Sequence, residues 1–143
     1  MITKMTMKSA KTVFIISIIF MSGCEHSNNA IYGQKYEDIN VRKAYSQIQD
    51  NKENKNFIIL DVRTPEEYAS GHLGNAVNSN YNSPAFRDSL ASLDKNKTYL
   101  VYCRTGNRSS KAVELMKILD FTKVYNMNGG IVEWLNNELP IIQ

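Results

Sequence analysis

The chain has 143 residues, enough for one domain with a hydrophobic core of its own, and its composition is that of an ordinary globular protein. The formal charge of +3 traces to three lysines, Lys4, Lys8 and Lys11; setting them aside from the 17 basic residues leaves 14 against 14 acidic ones. A neutral remainder gives no electrostatic reason to expect nucleic acid as a partner.

Residues 1–23 read as an export signal. The lysines are followed by the apolar run "VFIISIIF" and by small residues before Cys24. That run is shorter than the ~18 residues expected of a membrane-spanning helix. "MSGC" resembles the bacterial lipobox, although Met21 stands where leucine is commonest. The resemblance implies lipidation of Cys24, which would anchor the exported chain to a membrane on its periplasmic or extracellular face. Plain cleavage without lipid and an uncleaved anchor are the alternatives. Residues 24–35, polar and without periodicity, are expected to form a tether, and residues 36–143 the folded domain. With Cys24 lipidated, Cys103 is the one thiol left, so a disulfide scaffold is excluded.

Within the domain, "NVRKAYSQIQD" puts Val41, Ala44, Tyr45 and Ile48 on one helical face, with Asn40 as its cap. "NFIILDV" is a short continuous apolar run, the pattern of a strand buried on both faces. In "TPEEYASG", Thr64 and Glu67 have capping-box spacing, Pro65 takes the first helical position and Gly71 can end the turn. "NAVNS" is a short strand candidate. "SPAFRDSLASL" opens with a cap and a proline and places Phe86, Leu90 and Leu93 on one face. "TYLVY" is the second strongly apolar strand, and "SSKAVELMKILDF" follows as an amphipathic helix through Ala112, Leu115, Met116 and Leu119. "KVYNM" is a further strand. "GGIVEWLNN" closes the domain with a tight glycine turn and a helix carrying Ile131, Trp134 and Leu135 on its inner face. Strands alternating with helices imply an α/β parallel sheet covered on both sides, whose ligands gather at the carboxyl ends of the strands.

Cys103 stands at one of those ends, in "YCRTGNRSS". If the cysteine ends a strand and Ser109 begins a helix, residues 104–108 must wrap close to the sulfur. Gly106 permits the turn, and successive backbone N–H groups can converge into an anion-binding nest. Arg104 and Arg108 add positive charge, an environment that lowers a cysteine pKa from ~8.5 toward neutrality. The plainer alternative is a small buried apolar residue beside two solvated arginines. Asp61 and Arg63, at the end of "FIILD", either orient Arg108 or a loop N–H, or form a structural ion pair or loop cap. His72 is expected to make a structural hydrogen bond.

"LDVRTPEEYASGHLGNAVN", "YLVYCRTGNRSSKAVELM" and "VYNMNGGIVEWLNNELPI" together resemble a single-domain rhodanese, a sulfurtransferase, over nearly the whole mature chain. The resemblance implies a central, mostly parallel five-stranded sheet with helices on both faces. It implies Cys103 as the nucleophile that takes a sulfane sulfur from an anionic, thiosulfate-like donor and passes it to cyanide or a thiol. The loop Arg104, Thr105, Gly106, Asn107, Arg108 and Ser109 would hold the thiolate, the persulfide and the donor, with Asp61 and Arg63 in support. Neither a metal nor an organic cofactor is required by this chemistry. A partner-binding module that keeps the fold without catalysis is one alternative. A phosphatase or arsenate reductase is another, but related enzymes of that kind separate cysteine from arginine by five residues, whereas four lie between Cys103 and Arg108.

Overall fold

The computed structural model describes residues 33–143, so the expected signal, Cys24 and most of the expected tether lie outside the described residues. Five strands, β1 (Lys35–Ile39), β2 (Phe57–Asp61), β3 (Ala76–Asn78), β4 (Thr98–Tyr102) and β5 (Lys123–Met127), form one sheet in the order β1-β5-β4-β2-β3. Every pairing is parallel, where a mostly parallel sheet was expected. Lys35, taken from sequence as the last tether residue, already pairs with Lys123 in β1.

Parallel strands need crossovers, and the helices supply them: α1 (Val41–Asp50), α2 (Pro65–Ala69), α3 (Phe86–Ala91) and α4 (Asn107–Ile118), with α5 (Gly130–Asn136) following β5. Because side chains alternate across a strand, the central strands feed two cores. Ile59, Leu100, Tyr102, Tyr125 and Met127 pack with Val41, Ala44, Ile131 and Trp134 on one face. Leu60, Tyr99, Val101, Cys103 and Val124 pack with Phe86, Leu90, Ala112, Val113 and Met116 on the other.

The expected caps hold at two of three helices. Asn40 accepts the Lys43 N–H at 2.9 Å, and Thr64 with Glu67 closes a full capping box ahead of α2. At α3 the expected cap is absent. Ser83 instead accepts the Ala85 N–H at 3.2 Å within a turn, and the helix starts at Phe86 without a side-chain cap. In α5, Ile131 and Trp134 are buried as expected, but Leu135 is 48% exposed. Seven residues give only two turns of helix, and Leu135 falls beyond the edge of the inward stripe.

Candidate active site around Cys103

The order in which successive strands are added reverses about the middle of the sheet. β4 connects toward β5 on one side, while β2 connects toward β3 on the other, so the carboxyl ends of β4 and β2 flank a topological switch point. Cys103 directly follows β4 at this crevice. The residue is 1% exposed, so its sulfur is enclosed by the chain around it.

The loop closes sooner than expected from sequence. α4 begins at Asn107 rather than Ser109, with Gly106 as its cap at φ 102°. That left-handed conformation is one that a side chain strongly disfavours. It turns the Gly106 N–H onto Cys103 Sγ at 3.1 Å. The N–H groups of Thr105 and Ser109 also favour the charged sulfur, while Ser109 Oγ donates to the Gly106 carbonyl at 3.1 Å. Burial alone raises the thiol pKa, but these hydrogen bonds outweigh it and leave Cys103 below its ordinary value. The twelve-residue α4 points its positive end at the same atom. Of the expected loop residues, Gly106 donates its N–H to the sulfur and Ser109 is buried; Arg104, Thr105 and Asn107 are exposed.

The loop is held from behind by α5. Ile131 N–H donates to the Cys103 carbonyl at 2.9 Å and Val132 N–H to the Arg104 carbonyl at 3.1 Å. Engaging those carbonyls from outside leaves the neighbouring N–H groups to face the sulfur. Contact this close requires glycine at position 130, where a Cβ would lie 2.5 Å from the Cys103 and Arg104 backbone. The "GG" was legible as a turn, but its backing of the cysteine loop was not.

Arg108 lies in the first turn of α4, partly buried, and its partner is Glu67. Nη1 and Nη2 donate to Oε2 and Oε1 at 2.6 and 2.8 Å. This fork holds the Glu67 carboxyl down at about 2. Asp61, expected to orient Arg108 or a loop N–H, does neither. It forms a sealed pair with Arg63, whose Nη2 donates to Oδ2 at 2.6 Å and to the Gly71 carbonyl at 2.7 Å. Asp61 Oδ1 also accepts the Arg63 N–H at 2.9 Å, and the Asn78 amide ties the carbonyls of both residues together. The structural ion pair and loop cap are therefore what is found. His72 likewise has a structural place, with Nδ1 3.1 Å from the Tyr68 carbonyl and its ring stacked on Tyr68.

Fold and loop thus define an α/β domain that holds one buried cysteine, its thiol pKa lowered, at the switch point of a parallel sheet. A family model of the Rhodanese-like domain matches residues 44–137. A curated sulfurtransferase of Allochromatium vinosum is 30% identical over 62% of this chain and 80% of its own length. A tRNA uridine(34) hydroxylase of Buchnera aphidicola is 34% identical over 59% of this chain, but this chain spans only 28% of that protein. The crystal structure of a rhodanese-related protein from Thermoplasma volcanium superposes with a TM-score of 0.61 at 32% identity, covering 75% of this chain and 98% of that one. This chain belongs to the rhodanese-like domain family.

Proposed function

We propose that the protein is a sulfurtransferase that moves a sulfane sulfur from an anionic, thiosulfate-like donor to cyanide or a thiol through a persulfide on Cys103. The observation that carries this reading is the cradle of N–H groups and helix N-terminus around a thiol whose pKa is lowered. The Cys103 thiolate attacks the outer sulfur of thiosulfate, an S–S bond forms to that sulfur, and sulfite leaves with the electron pair of the broken bond. The resulting persulfide is again an anion, and the same N–H groups suit it. Cyanide then takes the outer sulfur as thiocyanate and returns the thiolate. Both steps balance without a proton, an oxidant or a cofactor.

The sulfurtransferase relative from Allochromatium vinosum supports the same class of activity. Thiocyanate production from thiosulfate and cyanide tests it: wild type turns over and Cys103→Ser does not. Turnover by Cys103→Ser equal to wild type would remove the covalent mechanism. Export and a lipid anchor at Cys24 belong to the same proposal, supported by the lysines, apolar run and "MSGC" of the sequence. Labelling with palmitate in a bacterial host should mark the wild-type chain and spare Cys24→Ala.

A further inference from the structure

Asn126 sets an amide into the interior of the sheet. It lies on β5 between Asp38 of β1 and Val101 of β4, and it is 2% exposed. Side chains alternate across a strand, so Asn126 shares the face of Val124, which packs with Val101 and Cys103. Its Nδ2 donates to Asp38 Oδ1 at 2.8 Å and to Asn128 Oδ1 at 3.3 Å. An ionised carboxylate can only accept, so Asp38 fixes which way the amide points. The other end, Asn126 Oδ1, is buried and has no hydrogen-bond partner among the described residues. An unpaired acceptor in a packed interior opposes folding, and a valine like its neighbours Val101 and Val124 would avoid that cost.

What the amide holds is the turn behind the cysteine loop. Asn128 is fixed at its main chain, where its N–H donates to the Ile39 carbonyl at 2.9 Å, and at its side chain by Asn126. A Cβ on Gly106 would lie 3.4 Å from the Gly129 nitrogen and 4.0 Å from Asn128 Cα, so this turn rests directly against Gly106. Gly106 is the residue whose N–H reaches Cys103 Sγ at 3.1 Å. The same turn leads into α5, whose Ile131 and Val132 N–H groups engage the Cys103 and Arg104 carbonyls.

We infer that Asn126 is a positioning residue for the nucleophile: through Asn128 it holds the β5–α5 turn against Gly106 and so keeps the Gly106 N–H on the sulfur. The inference deepens the sulfurtransferase reading and rests on it only for the use to which the thiolate is put.

The test is the pH dependence of Cys103 alkylation by iodoacetamide in the full chain, followed on the Cys103 peptide by mass spectrometry. Wild type is compared with Asn126→Val and Asn128→Ala. Neither substitution changes a charge, and the Arg108–Glu67 pair, whose guanidinium feels the Cys103 charge, is untouched. The midpoint of the profile reads the thiolate, and its plateau reads access to the sulfur. Both variants should raise the midpoint, so that alkylation below it slows roughly three- to tenfold relative to the plateau. Asn126→Val should melt no lower than wild type, since the unpaired acceptor has gone. A variant that melts lower with an unmoved midpoint marks a merely structural residue and overturns the inference. Asn128 is exposed, so Asn128→Ala decides the matter if Asn126→Val does not fold. Midpoints equal to that of wild type in folded variants overturn the inference and leave sulfur transfer standing, because no sulfur donor enters the measurement. A wild type that makes no thiocyanate removes the sulfurtransferase reading and leaves this one.

Discussion

Two arginine–carboxylate pairs lie near the carboxyl end of β2, and they differ in what surrounds them. Asp61 and Arg63 are 0% and 5% exposed at their side chains; Arg63 also donates to the Gly71 carbonyl, and Asn78 bonds both main-chain carbonyls. Glu67 and Arg108 are 29% and 21% exposed and join the start of α2 to the first turn of α4. A sealed pair holds the chain in one arrangement, because separating its charges strands one of them in a medium that cannot solvate it. A half-open pair is worth little to stability, because water already solvates both charges in part. Similar chemistry therefore weighs differently on the fold in the two places.

The largest effect is expected where the sealed pair is broken. Asp61→Asn leaves the Arg63 guanidinium buried without its counter-charge, and chemical denaturation should show a loss of about 3–5 kcal/mol. A loss below about 1 kcal/mol would mean that water reaches Arg63 and that the two pairs are alike. Glu67→Gln should cost less than about 1 kcal/mol in the same measurement, because its charges are partly solvated and its cap is kept.

The smallest effect is the pH dependence of that second cost. The Glu67 carboxyl is depressed to about 2 in the folded state, so the pair's contribution is fully present above the ordinary carboxylate value of 4.5. It is lost as pH falls through the folded value. The stability gap between wild type and Glu67→Gln should therefore narrow between pH 4.5 and about 2. A gap that stays constant over that interval would assign it to packing rather than charge.

The strands that were legible in sequence were those buried on both faces. β2 and β4 have three and four buried residues of five, and a continuous apolar run announces each. β1 reads "KYEDI" with only Ile39 buried, because an edge strand has one neighbour and keeps charged side chains in solvent. Its polarity made it look like the end of a tether. The caps show the same limit. Thr64 and Glu67 were legible because a capping box is local, whereas Ser83 had a following proline but Phe86 in place of a Glu or Gln three residues on, and settled into a turn.

Of the site, the cysteine, the glycine and the coming helix were legible from spacing within one loop. The partner of Arg108 was not, since Glu67 and Arg108 are 41 residues apart. They meet because β2 and β4 lie side by side, which brings the start of α2 against the start of α4. Only the strand order carries that information. Gly130 was hidden for the same reason, as its contact with the Cys103 and Arg104 backbone depends on β5 lying next to β4.

On the proposed function, the cradle makes Cys103 a carrier of one sulfur atom. Intact-protein mass spectrometry after incubation with thiosulfate tests this most directly. The predicted result is a gain of one sulfur on wild type that cyanide removes and that Cys103→Ser never acquires. A wild-type mass unchanged by every sulfane donor, or a sulfur still gained by Cys103→Ser, would contradict it.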